Sequence, residues 1–493
     1  MIANNLPALQ VVIPLLAAPL ALMLRRGSFS HLLAMVVSVL TLVISYNLLQ
    51  SVLVDGPISY EMGGWEPPWG IEYYVDSINA FVLLIVSAIG TVVMAAARSS
   101  VAKEIAEDKQ SLFYTAYLLC LTGLLGMTIT GDAFNIFVFL EISSLSTYIL
   151  ISLGKDRRAL TAALQYLIMG TIGATFILIG IGMLYMSTGS LNIQDLASRL
   201  PELQESRTVQ AAFAFVAVGT SLKLALFPLH LWLPNAYTYA PSMASAFLAA
   251  TATKVGVYVM LRFFFTIFGA HYSFEVMPLG ITLLILSLLA IFVGSAVAIY
   301  QDNVKRLFAY SSVAQIGYMM LGISFATQTG LTAAILHLFN HAMMKGGLFL
   351  ALGALFYRAG GTSVANFRGL GSTMPWTMMA IVLGGLSLIG VPLTVGFVSK
   401  WYLVLAALEQ GMWPVAALVL AGSLLAVIYV WKLVEAAYFQ QPEGEAASIK
   451  EAPLALLIPT WILIVANIYF GIDTSLTVGV AQQAAASLLG MGG

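Results

Sequence analysis

About fourteen long apolar runs follow one another along this chain, and that succession leaves it one class of fold. A transmembrane helix needs roughly 20 consecutive, mainly apolar residues. The runs lie at 6–24, 31–53, 76–97, 112–129, 132–153, 162–187, 209–232, 242–268, 276–299, 304–323, 329–357, 374–408, 414–438 and 453–472. They predict an all-α polytopic membrane protein. Of the 493 residues, 60% are hydrophobic and only 9% are charged. A soluble domain carries about 45–50% and about 25%, so a soluble fold is excluded.

The loops set an orientation. With fourteen crossings, odd-numbered loops share one face. They carry Arg25, Arg26, Arg98, Lys103, Lys109, Lys155, Arg157, Arg158, Lys305, Arg306, Arg358, Arg368 and Lys450, while the even loops carry only Arg199 and Arg207. Positive residues stay on the cytoplasmic side, which predicts both termini outside. Residues 6–24 end in Arg25-Arg26, the reverse of a signal peptide's basic start, and read as the first span. The loop 54–75, rich in Gly, Pro, Trp and Tyr, predicts a hairpin or turn at the outer interface. Segment 188–208 predicts a short surface helix near Ile193–Leu200, and the tail after Gly471 a peripheral segment.

Two runs are interrupted. In the seventh, Lys223 lies in an apolar stretch, with Pro228 five residues on and His230 two further. Proline removes a backbone donor and breaks the helix. The twelfth, 374–408, is too long for one crossing and holds Gly390-Val391-Pro392 ahead of Lys400. An ammonium inside hydrocarbon is costly and marks function, and transporters place their sites at such broken helices. The breaks are five spans apart, and an odd offset reverses direction. This predicts two inverted five-helix repeats with broken helices 7 and 12. The expected divisions are 1–111 (helices 1–3 with the outer loop), 112–268 (first repeat), 269–438 (second repeat) and 439–493 (last helix and tail).

Other mid-span polar residues join these lysines. Glu141 is the one acid at mid-span, about 14 Å into its helix, and a pairing with Lys223 would stabilise its charge. Lys254 lies among small residues (Ala252, Thr253, Gly256), and a desolvated lysine readily takes and releases protons. His337, His341 and Lys345 stand at i, i+4 and i+8 on one helix face, where imidazoles can relay protons near neutral pH. Two histidines at i, i+4 also suit zinc, but the third group is a lysine and no glutamate completes that motif, so no metal is expected. Asp132 and His230 are secondary candidates, His230 with a core histidine as its plain alternative. Arg262 and Lys432 lie near span ends, where they can reach the interface, Lys432 pairing with Glu435. A net charge of −1 argues against nucleic acid as a partner, and the lone Cys120 excludes an intrachain disulfide or cysteine metal site. No phosphate loop, dinucleotide fingerprint or haem motif is present, so no cofactor is expected.

Taken together, several stretches resemble the antiporter-like membrane subunits of respiratory complex I, membrane hydrogenases and Mrp-type cation/proton antiporters. They are Gly131–Ser146 with Glu141, Lys223 with Phe227–Pro234, Ala240-Pro241-Ser242, Lys254, Asp302–Ser312, and Gly390-Val391-Pro392 with Lys400. The resemblance covers nearly the whole chain. It implies a fourteen-helix fold of two inverted repeats. It also implies that Glu141 and Lys223 form the paired charge of one half-channel, continued by Lys254, the eleventh span and Lys400. Lys400 and the chain length look most like the D-type subunits of Mrp antiporters. That implies a proton-translocating subunit of a sodium/proton antiporter, with small Mrp subunits and a larger homologous subunit as partners in a bacterial or archaeal cytoplasmic membrane. The alternatives are a proton-pumping subunit of complex I or of a hydrogenase, a self-contained solute transporter, and a structural scaffold.

Overall fold

The computed structural model describes residues 5–441 and 448–491. Helices α1 (Leu6–Met23) and α2 (Gly27–Asp55) lead to a hairpin of β1 (Ile58–Glu61) and β2 (Glu72–Val75), antiparallel with Ile58 opposite Val75. The helices α3 (Ser77–Glu104), α4 (Glu107–Ile129), α5 (Ala133–Ser152) and α6 (Arg158–Thr188) follow. A short α7 (Ile193–Arg199) precedes α8 (Arg207–Leu224), α9 (Trp232–Tyr239) and α10 (Ser242–Leu261). Then come α11 (Leu279–Ile299), α12 (Val304–Ser324), α13 (Gln328–Ala359), the single turn α14 (Leu370–Thr373), α15 (Pro375–Ile389), α16 (Val395–Glu409), α17 (Trp413–Val434), α18 (Leu454–Ile472) and α19 (Ser475–Leu488). Among the described residues, twelve helices are long and apolar enough to cross a membrane. The two broken spans, α8 with α9 and α15 with α16, complete the fourteen.

Local chemistry starts many of these helices. Asp76 caps α3 in a reciprocal box with Asn79, Asp132 caps α5 through Asn135 N at 2.7 Å, and Asn303 caps α12 through Arg306 N at 3.2 Å. Side-chain oxygens there satisfy amide donors that the first turn leaves free. The capping segments also reveal the repeat. Asp132 bridges to Asn192, with Ala133 N on Leu191 O (2.8 Å) and Ile193 N on Gly131 O (2.9 Å). Asn303 bridges to Ser363 in the same way, with Val304 N on Thr362 O (2.7 Å) and Val364 N on Asp302 O (2.8 Å). Five crossings separate the two bridges, so they sit on opposite faces of the membrane, as inverted repeats require.

Helix α13 is the axis of the bundle. Its apolar window is wholly buried, and α10, α12, α16, α18 and α3 pack around it, whereas α1, α6, α11, α17 and α18 leave more than half of theirs outward.

Several expectations need correction. The seventh span does not end at Trp232: α9 starts there, and Pro234 falls in its first turn, where a proline has no bond to lose. The tail is folded onto the bundle, with Val480, Ala481, Ala484, Ala485 and Leu488 of α19 buried and the helix packed on α13 and α3. Lys305 is no loop residue. It lies in the first turn of α12, buried, and donates to Ala240 O at 3.1 Å. Arg262 does not reach for the interface but is buried in an ion pair with Asp76 at 2.5 Å. Lys432 meets Asp302 at 3.7 Å and Gln301 O at 3.1 Å, in place of Glu435.

Candidate functional site

Each broken helix brings an ammonium to a helix C-terminus, where the last carbonyls lack amide partners. Ala225, at φ 63°, ends α8 one turn before Pro228, and Trp232 Nε1 donates to Leu222 O at 3.0 Å. Lys223 thus stands in the last turn of α8, where the helix dipole favours a cation. Its Nζ donates to Ser144 Oγ on α5 at 2.5 Å and lies 5.8 Å from the centre of the Tyr166 ring. Glu141 is one turn before Ser144. It is near enough to act on Lys223 through its charge, yet Lys223 is held by the hydroxyl, and Glu141 Oε1 is buried with no hydrogen-bond partner. A cavity of about 30 Å³, room for one or two waters, lies beside Lys223 between Ser143, Thr147, Tyr166, Thr220 and Gly256.

Gly256 puts α10 against the end of α8: a methyl group there would stand 3.1 Å from Leu224 Cβ. One helical turn or less away, Lys254 is fully buried, with Nζ on Ala249 O and 3.4 Å from Thr253 Oγ1. Lys254 is close enough to His337, His341 and Lys345 on α13 to act on all three through its charge.

The α13 face is stacked as the spacing predicts. The rings of His337 and His341 are 6.2 Å apart and nearly parallel. Both nitrogens of His341 are buried without a hydrogen-bond partner. His337 is held at both ends, by Ser399 Oγ at 2.8 Å and Gln315 Oε1 at 2.9 Å. With that amide oxygen as acceptor, Nε2 of the neutral ring carries the hydrogen and Nδ1 can accept from Ser399. Lys345 donates to Phe308 O at 2.7 Å and to Ser311 Oγ.

Lys400, the residue after Ser399 on α16, is near enough to act on His337 through its charge. The second break leaves Gly390 at φ 92° and Leu393 at φ 72°, with Pro392 between them. Lys400 Nζ donates across it to Leu388 O (2.8 Å) and Ile389 O (2.9 Å), the last carbonyls of α15, and to Ser423 Oγ (3.0 Å). The Tyr318 ring lies 4.7 Å away. A carbonyl pair and a π-face together make an ammonium site inside an apolar wall.

Lys254, His341, His337 and Lys400 are thus linked through charge across α10, α13 and α16, with Lys345 to one side, and Lys223 stands at the end of α8, against which Gly256 packs α10. Two secondary candidates stand apart. Asp132 is engaged as a helix cap. His230 is buried on the segment after the first break, against Phe227 and Tyr310, with Nδ1 unpartnered. Sequence reasoning passed over the neutral partners Ser144, Gln315, Ser311, Ser399, Ser423 and Tyr318. Gln315 carried a signal: it is an amide in an apolar run, one turn after Ser311. Among the described residues, no group of three or more His, Cys, Asp or Glu gathers as a metal site.

Known proteins share this fold. Residues 130–428 match the family described as "NADH:quinone oxidoreductase/Mrp antiporter, TM". The chain is 40% identical to the N-type subunit of the NADH-quinone oxidoreductase of Desulforudis audaxviator, over 95% of this chain and 96% of that one. It is 32% identical to the D-type subunit of a Na(+)/H(+) antiporter of Alkalihalophilus pseudofirmus, over 92% of each. In structure it superposes with a TM-score of 0.90 on a chain of an archaeal membrane-bound sulfane sulfur reductase (30% identity, 98% of each chain). It superposes equally, at 0.90, on a chain of the Mrp complex from a Dietzia species (25% identity, 99% and 98%). The chain is a multi-pass membrane protein of the NADH:quinone oxidoreductase/Mrp antiporter transmembrane family.

Proposed function

We propose that this chain is the proton-translocating subunit of a multisubunit monovalent cation/proton antiporter. The observation that carries the reading is the set of five ionisable side chains in the bundle interior, Lys223, Lys254, His341, His337 and Lys400, with both outer lysines and the histidine stack held by neutral polar groups. Ammonium groups in an apolar interior repel one another strongly, so a proton gained at one centre drives release at the next. Glu141 sets the first step. Neutralising it weakens its hold on Lys223 and frees that charge to influence Lys254 through the cavity beside Tyr166. Lys254 then acts on the His341–His337 stack, and Ser399 links the stack to Lys400. Lys345 biases the histidines from the far side. The carriers are the chain's own side chains, so it is a transport subunit and performs no covalent chemistry.

The work of moving a cation against this charge shift falls to neighbouring membrane subunits, the small Mrp subunits and a larger homologous subunit. Sodium is the cation in this reading. The complex sits in a bacterial or archaeal cytoplasmic membrane with both termini of this chain outside. The division at 112–268 and 269–438 makes each repeat one half of the path. The test is cation/proton exchange in vesicles holding the whole complex. Lys223→Ala and Lys400→Ala, compared at equal assembly, should each abolish exchange, and native exchange in either would sink the reading.

The 40% identity to a subunit of an NADH-quinone oxidoreductase favours a second reading, in which the same proton line is driven by a redox arm. The subunits that purify with the chain separate the two: a peripheral redox arm supports this one, small Mrp subunits the first.

A further inference from the structure

A second polar ladder leaves Lys254 in the direction away from the α13 histidines. Along α10 and the residue that follows it, Lys254, Tyr258 and Arg262 stand at i, i+4 and i+8, one face of the helix over roughly 12 Å. Tyr258 Oη donates to Thr128 O at 2.8 Å and accepts from Arg262 Nε at 2.9 Å. Arg262 Nη2 meets Asp76 Oδ1 at 2.5 Å, and the two side chains are 6% and 8% exposed. Beyond the guanidinium, a space of about 10 Å³, close to that of one water, opens between Tyr74, Thr130, Gly131 and Gln194. It lies on the membrane face that carries the β-hairpin.

Without Arg262 this ladder would be a short route between Lys254 and that face: one phenol, then water. The guanidinium stands in the middle of it. It does not give up its proton, so it cannot pass one along the ladder, and a guanidinium standing in the path is a barrier in pores that exclude protons, even with Asp76 offsetting its charge at longer range. Asp76 and Tyr258 hold it there from two sides, one on the hairpin segment and one on α10 itself. Nothing in the line through α13 uses these three residues.

We propose that Arg262 is an electrostatic plug, positioned by Asp76 and Tyr258, that closes the direct route between Lys254 and the hairpin face. Protons on Lys254 must then pass through the histidine stack to Lys400. This rests on the reading of Lys254 as a proton carrier. The bland alternative is a buried ion pair that fastens α10 to α3, and the two differ in whether the charge or the pairing matters.

Passive proton flux separates them. The whole complex is placed in vesicles with a trapped pH dye and no cation gradient, and flux is followed after an acid jump. Asp76→Asn/Arg262→Gln removes both charges and leaves no lone buried carboxylate. It should leak about tenfold faster than the native complex. That corresponds to about 1.4 kcal/mol on the barrier. Asp76→Asn alone keeps the guanidinium and should stay tight. Adding Tyr258→Phe to the double variant should lower the leak again. A double variant as tight as the native complex overturns the plug, and so does an Asp76→Asn leak as large as the double variant's, which would make the pairing the cause. Driven exchange in the same vesicles reports on the transport reading separately: native exchange in Lys254→Ala sinks that reading whatever the leak does.

Discussion

Gly396 offers the sharpest test of how the second break positions Lys400. A methyl group there would stand 1.8 Å from Ser387 O, a backbone atom, and 3.0 Å from Met344 Cε. Carbon contacts relax at about 3.5–4.0 Å, so Gly396→Ala forces α16 away from α15 by roughly 1.5 Å. Lys400 is four residues further along α16, and its bonds to Leu388 O and Ile389 O measure 2.8 and 2.9 Å. The same shift carries both past hydrogen-bonding range. Overpacking costs about 1–3 kcal/mol, and each lost bond to a charged donor about 1.5–3 kcal/mol. Misplacing a working group by about 1 Å can cost on the order of 100-fold in rate. The expected outcome is a lower melting temperature of the purified complex and exchange reduced at least tenfold in vesicles at equal protein content. Gly182→Ala on α6 is the control, because a methyl there meets nothing within 4 Å. A Gly396→Ala complex with native stability and native exchange would refute the idea that the break exists to seat Lys400 on these carbonyls.

Other outcomes follow from single contacts. Arg262→Met leaves Asp76 buried without its partner and should destabilise the complex by about 3–5 kcal/mol; combining it with Asp76→Asn should recover most of that, read by thermal denaturation. Ser144→Ala removes the hydroxyl that holds Lys223 and should slow exchange while the complex assembles normally, since one hydrogen bond is worth about 1 kcal/mol. His337→Gln can keep one of the two bonds to Ser399 and Gln315 but cannot carry a proton, so exchange should fall with the melting temperature nearly unchanged. Asp302→Ala should change neither, because its carboxylate is 95% exposed and 3.7 Å from Lys432, and such pairs contribute about 0–1 kcal/mol.

Much of the fold was legible because bilayer hydrocarbon imposes a single length and polarity on every span. The two breaks were visible in Pro228 and in Gly390-Val391-Pro392, and the α13 face in the spacing of His337, His341 and Lys345. The interior lysines also announced themselves, since an ammonium in a long apolar run is costly and must find partners there. What stayed hidden depends on tertiary neighbours. Asp76 lies 186 positions from Arg262, and no local pattern shows that an arginine near a span end turns inward to meet it. Glu141 looked like the direct partner of Lys223, but the hydrogen bond belongs to Ser144. Serines are ordinary at membrane helix interfaces, so Ser144, Ser311, Ser399 and Ser423 carried no mark of their roles. The start of α9 was missed because the seventh run was carried through the break at Pro228 to Trp232, where a new helix begins with Pro234 in its first turn.

The central claim is that both repeats serve one path joined at Lys254. The most direct measurement is exchange by the whole complex carrying Lys254→Met, at assembly equal to native and with Lys223 and Lys400 intact. One continuous line predicts loss of exchange with vesicles that remain proton-tight. Native exchange rates in that variant would contradict it.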